Sequence, residues 1–198
     1  MKKVLFIFGL CILFNTSFAQ IKIGLTAGLN ISNSIFNQMN SSTESNNYKA
    51  GFQAGVVADF GISNQFSITP ELLFSQRGSK GNISYLTLNY MQLPVNATYK
   101  FDVGNDSKLF VFAGPYLSYA LSGKIKTAER LIQNTKFGSK DDEYKPLDFG
   151  LNIGVGYQFE KIFFKLQFNP GLYNLSNVKG SSFKNTNLTF SVGYFIFE

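Results

Sequence analysis

The segment Leu147-Asp148-Phe149-Gly150-Leu151-Asn152-Ile153-Gly154-Val155-Gly156-Tyr157-Gln158-Phe159 alternates without a fault. Every odd position is aliphatic or aromatic, and every even position is Asp, Gly, Asn or Gln. Successive side chains of an extended strand point to opposite faces. This segment therefore presents one continuous apolar face and one face of small or polar groups. A helical period would scatter the same residues around the axis.

The same rhythm runs outward in both directions. Downstream, Ile162, Phe164, Leu166 and Phe168 oppose Phe163, Lys165, Gln167 and Asn169, and Leu188, Phe190, Val192, Tyr194 and Ile196 oppose Asn187, Thr189, Ser191 and Gly193. Upstream, the apolar rows begin at Ile21, Tyr48, Phe66 and Met91, and their intervening residues include Gly24, Gln53, Asp59, Ser67, Glu71 and Asn96. The stretch from about Lys108 to Ser122 is apolar on both parities and reads less cleanly. Eight strands emerge, each long enough to cross a bilayer when tilted. Long connections near Asn33–Asn47, Arg77–Ser84, Gly123–Pro146 and Ser176–Lys184 alternate with short ones near Ser63–Gln65, Asp102–Ser107 and Glu160–Lys161. That rhythm predicts an all-β fold, an eight-stranded antiparallel up-and-down barrel, with both termini on the short-turn side. A ten-stranded reading stays open, in which residues 123–146 form a hairpin of their own.

The chemistry of the two faces decides the solvent. A soluble barrel of this size buries its apolar face and shows water a charged one. Here charged residues make up only 15% of the chain, and the non-apolar face is mostly Gly, Ser, Thr, Asn and Gln. That face suits a narrow, side-chain-filled polar lumen. The aliphatic and aromatic face suits lipid, with Tyr and Phe near strand ends as interfacial girdles. The fold expected is a transmembrane barrel. Asp59, Glu71, Asp148 and Lys165 have inward parity. Ionisable groups at membrane depth pair with one another, so these four are expected to form a structural polar cluster in the lumen. Pro70, Pro94, Pro115 and Pro170 fall inside strands, where each removes a ladder donor, and bulges or positions near the membrane interfaces are expected there. The apolar parity also changes from Leu86, Leu88 and Tyr90 to Met91 and Leu93, which predicts a bulge there.

The chain opens with Lys2 and Lys3, an apolar run from Val4 to Phe14, polar Asn15 and Thr16, and the small-residue pattern Ser17-Phe18-Ala19. This predicts a secretory signal peptide over residues 1–19, cut between Ala19 and Gln20, with the barrel domain over residues 20–198. The run is short for a membrane-spanning helix. Cleavage removes Cys11, the single cysteine, together with two lysines, so the net charge falls from +6 to +4. The mature barrel then needs no disulfide. A mild basic balance on an exported chain gives no reason to expect nucleic acid as a partner.

Composition also narrows the chemistry. With His absent and no mature Cys, neither a Ser–His arrangement nor a thiolate nucleophile can be built. A zinc site would need carboxylates alone. No catalytic residue, cofactor or metal is expected, and the protein reads as non-enzymatic. The longest connection carries Lys124, Lys126, Arg130, Lys136, Lys140 and Lys145 beside Glu129 and the run Asp141-Asp142-Glu143. Adjacent acids lack the spacing of a calcium loop, so the run reads as solvated charge. The basic groups suit phosphates of lipopolysaccharide, and outer membrane lipids are the expected surroundings.

Several strands also carry a resemblance. Tyr90-Met91-Gln92-Leu93-Pro94-Val95 resembles a Y-L-x-I-P-L strand, and Phe112-Ala113-Gly114-Pro115-Tyr116 resembles an F-x-G-P-Y strand. Asp148-Phe149-Gly150-Leu151, with Gly154, Gly156 and Tyr157, resembles D-F-G-L-x-x-G-x-G-Y, and Gly171-Leu172-Tyr173-Asn174-Leu175 resembles a G-L-x-N-I strand end. In this order they resemble the PorT-like outer membrane β-barrel family of Gram-negative bacteria. The resemblance implies a location in the cell outer membrane and admits proline at the Pro94 and Pro115 positions. The ending Phe195-Ile196-Phe197-Glu198 resembles the aromatic-ended strand read by the barrel-assembly machinery, with Glu198 as a departure. The expected role is structural or interactive, through long extracellular loops. The alternative is a partner-binding component of a secretion or outer membrane assembly system, with an envelope protein as its partner.

Overall fold

A computed structural model of the chain describes residues 21–38, 41–45, 47–81, 84–127, 132–138, 144–177 and 181–197. The export segment, with the expected cut between Ala19 and Gln20, lies outside the described residues. So do Arg130, Lys140, Glu129 and the Asp141-Asp142-Glu143 run.

Among the described residues ten strands follow in order: β1 (Ile21–Gln38), β2 (Ser41–Ser45), β3 (Lys49–Gly61), β4 (Phe66–Lys80), β5 (Ser84–Gly104), β6 (Ser107–Thr127), β7 (Ile132–Asn134), β8 (Leu147–Phe159), β9 (Ile162–Pro170) and β10 (Ser181–Phe197). Eight of them make a closed antiparallel ring in the order β1, β3, β4, β5, β6, β8, β9, β10. β10 returns to β1, with Leu25 opposite Tyr194 and Leu29 opposite Phe190. Closure leaves no unpaired edge facing hydrocarbon, which a spanning sheet requires. The other two strands lie outside the ring: β2 pairs with the end of β1, and β7 pairs with Lys124–Lys126 of β6. The 123–146 segment therefore adds a short strand to β6 and no stave to the barrel.

Short turns gather at one end. The β5–β6 turn places Gly104, Asn105 and Asp106 at positive φ, residue types that tolerate the left-handed region. In the β3–β4 turn the Phe66 N–H donates to Ser63 Oγ at 3.0 Å, and the Ile62 N–H donates to the Phe66 carbonyl at 2.8 Å. At the opposite end the strands run further than the alternation predicts. β1 continues to Gln38 and β4 to Lys80, because ladder hydrogen bonds persist above the apolar belt after one-sided burial has stopped imposing a pattern.

The outer wall is a belt of exposed apolar groups on every stave. Leu29 is 68% exposed and its cross-strand partner Phe190 54%. No water-facing surface is built this way, and hydrocarbon is the solvent that such a belt fits. Polar side chains point inward and are buried, among them Asn30, Gln53, Ser75, Gln92, Asn152, Asn169 and Thr189.

The interior is not polar throughout. Val57, Phe110, Phe112, Phe163 and Phe195 form an apolar layer towards the short-turn end. Leu88, Tyr90, Ala120, Leu175 and Phe183 form another towards the long-loop end, with Leu86, Phe137 and Tyr144 packed on it. The inward rings are housed by glycine. Phe110, Phe112 and Tyr116 on β6 stand opposite Gly156, Gly154 and Gly150 on β8, and Phe163 stands opposite Gly193. A Cβ on any of these glycines would enter the partner ring. This explains why β6 is apolar on both parities: one face meets lipid, and the other lays rings over a neighbouring strand without side chains.

The bulge expected beside Tyr90 is present, although its extra residue lies on β6, whereas the bulges expected at the prolines are not found. Parity along β5 never changes, since Leu86, Leu88 and Tyr90 turn inward with Gln92, while Met91 and Leu93 turn outward. The register shift lies between Asn89 and Tyr90 against β6, which carries Leu121 as its extra residue. No register shift falls at a proline. Pairing is interrupted beside Pro70, Pro94 and Pro115 and resumes in the same register.

Candidate functional site

The lumen is the first candidate, because it gathers the ionisable groups of the barrel wall. Near the short-turn mouth, Asp59 on β3 pairs with Lys100 on β5. Deeper in, Glu71 on β4 meets Lys165 on β9, whose Nζ donates to both carboxylate oxygens at 2.6 and 2.7 Å. β4 and β9 are opposite staves of the ring, so this pair crosses the full bore. Lys165 Nζ also lies 5.6 Å from the centroid of the Phe163 ring and 5.9 Å from that of Phe112. The space shared by Asp59, Glu71, Lys100 and Lys165 with the apolar layer is about 30 Å³, room for about one or two waters.

Above the Glu71–Lys165 pair the bore is closed by amides. Asn96 Nδ2 donates to Glu71 Oε1 at 3.5 Å, and Asn152 Nδ2 donates to Asn96 Oδ1 at 3.3 Å. Asn169 donates in turn to Asn152. Thr189 Oγ1 lies 3.4 Å from Asn169 Oδ1 and 2.8 Å from Asn30 Oδ1. Asn30 Nδ2 contacts the carbonyls of Phe52 and Gln76 at 3.1 and 3.0 Å. One hydrogen-bonded path thus links staves on all sides of the barrel.

Towards the long loops, Arg77 on β4 is 1% exposed. It bonds Gln92, donates from Nε to Ser75 Oγ at 3.2 Å, and faces Asp148 on β8 with Nη1 3.8 Å from Oδ2. Its guanidinium lies 5.2 Å from the centroid of Tyr116 and 5.9 Å from that of Tyr90. Of the four residues singled out from parity, Asp59, Glu71 and Lys165 thus line one cavity, and Asp148 stands apart from them beside Arg77. Arg77, at the start of a connection expected from the sequence, belongs instead to β4. Its burial has no signal in local alternation, because a short polar run looks the same in a loop as in a strand that extends past the belt. Lys100 also points into the bore, and Asp59 is its partner.

This arrangement holds charges in place, with the buried Ser118 standing opposite Asp148 across β6 and β8. Each carboxylate faces a cation, and among the described residues no three His, Cys, Asp or Glu side chains gather in metal-ligating geometry. The second candidate region is the long-loop end. There Lys145 donates to the Asn174 carbonyl at 3.1 Å and lies 4.9 Å from the centroid of Tyr173, which ties the chain before β8 to the one after β9. Lys80, Lys124, Lys126 and Lys136 are exposed.

Comparison with known proteins agrees with this architecture. A family model described as outer membrane protein beta-barrel domain matches residues 18–177. Among solved structures, the outer membrane protein OprG of Pseudomonas aeruginosa is similar at 9% identity, with a TM-score of 0.50 over 91% of this chain and 97% of its own. Neisserial surface protein A is similar at 12% identity, with a TM-score of 0.49 over 89% and 97%. The outer membrane enzyme PagL is similar at 13% identity, with a TM-score of 0.41 over 82% and 97%. No curated protein matches the sequence.

Proposed function

Since the chain belongs to the outer membrane protein beta-barrel domain family and resides in the outer membrane of a Gram-negative cell, we propose that it is a non-enzymatic barrel acting through its long-loop end. The observation that carries this reading is the closed bore. Ion pairs and amides bridge opposite staves, and the cavity of about 30 Å³ beside Glu71 and Lys165 offers no passage through the bore for a diffusing solute, although a polar recess of about 420 Å³ lined by Asp59 and Lys100 opens at the short-turn mouth. The ordered motifs from Tyr90 to Leu175 support a place in the PorT-like branch of the family, and the aromatic ending at Phe197 supports assembly by the barrel-assembly machinery.

The role follows from what the bore denies. A filled eight-stranded barrel presents loops and strand extensions on a rigid base, which is how scaffolded loops carry binding. Photocrosslinking in whole cells tests it. A crosslinker at Gln133 should trap a defined envelope or external partner, and one at Asn64 among the short turns should not. Equal, diffuse labelling from both positions would count against the reading.

One observation favours the narrower alternative, a partner-binding component of a secretion or assembly system. β7 pairs with β6 on one side only, and among the described residues no strand covers its other edge. Such an edge accepts an added strand from a partner. A trapped partner that belongs to the secretion or barrel-assembly apparatus would support this alternative, and a partner from outside the cell would refute it.

A further inference from the structure

The outer face of β4, β5 and β6 changes character in ordered rows. Phe74, Met91 and Tyr119 are cross-strand neighbours and form the last full apolar row on this side. Directly beyond them, Gln76 Nε2 donates to Asn89 Oδ1 at 3.1 Å, and Asn89 Nδ2 donates to Ser122 Oγ at 2.9 Å. The next row runs Gly78, Thr87, Lys124 and Asn134, and the one after it Lys80, Tyr85, Lys126 and Ile132. Alternate residues of a strand share a face. Lys80, Lys124 and Lys126 therefore point to the same side as Phe74 and Met91, the side that lipid touches.

All three lysines are exposed. None makes an ion pair with a described residue, and no acid occupies that face in any of the rows. Lys80 Nζ lies 5.3 Å from the centroid of the Tyr85 ring. Strands lie about 4.8 Å apart and rise about 3.3 Å per residue. The three lysine Cα atoms thus fall within a patch of roughly 10 by 7 Å. The patch begins roughly 13 Å along the strands from the last apolar row. With strands tilted about 40°, that height is roughly 10 Å above the hydrocarbon, and lysine stems reach back towards it.

We propose that this face binds the phosphorylated sugar headgroup of an outer-leaflet glycolipid. Its acyl chains lie on Phe74, Met91 and Tyr119. Its sugar hydroxyls meet the Gln76–Asn89–Ser122 row. Its phosphate sits among Lys80, Lys124 and Lys126. The order apolar, amide, cation matches the order acyl chain, sugar, phosphate along such a lipid. A simple phospholipid has no sugar to meet the amide row, which is why the glycolipid is the occupant. The inference rests on the outer membrane location and stands independently of any protein partner.

The test uses the full barrel in detergent micelles, with purified lipopolysaccharide, the same material after phosphatase treatment, and phosphatidylglycerol as probes. A lysine beside an anionic lipid surface is worth about fivefold in affinity, so Lys80→Gln/Lys124→Gln/Lys126→Gln should weaken lipopolysaccharide binding roughly 100-fold at low salt. A Lys108→Gln/Lys161→Gln control at the short-turn end should bind as the wild type does. Phosphatase treatment should cost the wild type about the same factor, and phosphatidylglycerol, which leaves the amide row unmet, should bind more weakly than the glycolipid. A triple variant within threefold of wild type overturns the proposal. So does undiminished binding of the dephosphorylated lipid, or phosphatidylglycerol that binds as well as the glycolipid. Folding is checked by heat-modifiable migration on a gel. If the triple variant fails that check, Lys126→Gln alone should still show about a fivefold loss, and no loss overturns the proposal.

Discussion

Replacing Lys165 with Met would leave Glu71 facing a hydrocarbon chain in the middle of the bore. Glu71 is 3% exposed, and its two strongest bonds, at 2.6 and 2.7 Å, both come from Lys165. What remains is the Asn96 amide at 3.5 Å, a weak substitute. Removing one partner of a buried pair costs about 3–5 kcal/mol, because the other charge is left uncompensated. Removing both charges in Glu71→Gln/Lys165→Met should cost far less, since the desolvation penalty disappears with them. The assay is urea unfolding of the barrel in phosphatidylcholine vesicles, read as the fraction that keeps folded migration on an unheated gel. Lys165→Met should lower stability by about 3–5 kcal/mol, and the double variant should recover most of that loss. A single variant within about 1 kcal/mol of wild type would refute the claim that this pair ties opposite staves. A double variant less stable than either single one would refute it equally.

The glycine–aromatic register gives a second prediction. Gly154→Ala pushes a Cβ into the Phe112 ring and should cost about 1–3 kcal/mol in the same urea assay, while Phe112→Gly/Gly154→Phe should restore part of it by exchanging ring and gap across the same pair. Arg77→Met strands Asp148 beneath the upper apolar layer and should lower stability by about 3–5 kcal/mol, against a change near zero for the exposed Lys136→Met. In planar bilayers the wild-type barrel should give no resolvable conductance steps, because amides and the Glu71–Lys165 pair close the bore; steady steps would contradict the filled lumen.

The ring was legible because one physical demand repeats on every stave. Lipid on one side and a crowded bore on the other force period two, and β3, β8 and β9 display it residue by residue. β6 hid its pattern, although the key was present in the sequence. Tyr116, Phe112 and Phe110 are spaced by four and two, and Gly150, Gly154 and Gly156 repeat those spacings in the opposite sense. The mirror match is an antiparallel register written in rings and gaps, and it would have placed the β6 rings inside. The upper ends of β1, β4 and β5 were harder to read. Above the belt a strand no longer separates oil from polar groups, so Arg77 and Ser79 carry no alternation that distinguishes wall from loop. Inward direction for Asp59, Glu71, Asp148 and Lys165 follows from parity alone. Which of them meet depends on how staves far apart in sequence face one another across the bore, and local periodicity carries no such information.

The prolines show why the interior chemistry belongs to the wall. Pro70, Pro94 and Pro115 lie on three adjacent staves, and Val95 stands opposite both Pro70 on one side and the stretch around Pro115 on the other. Pairing is interrupted around each, so a diagonal of weakened ladder crosses β4, β5 and β6. In hydrocarbon no water is at hand to replace those bonds. The side chains that point inward along this diagonal are Glu71, next to Pro70, and Asn96, two residues beyond Pro94. Glu71 is bound to Lys165 on the opposite stave, and Asn96 accepts from Asn152 across the intervening β6. Where the ladder is weakest along its length, the bore is tied most strongly across its width. That coincidence makes the polar centre a brace for the wall. On the proposed reading, recognition falls to the strand extensions and loops above the belt, where lysines, tyrosines and the edge of β7 that no described strand covers are found.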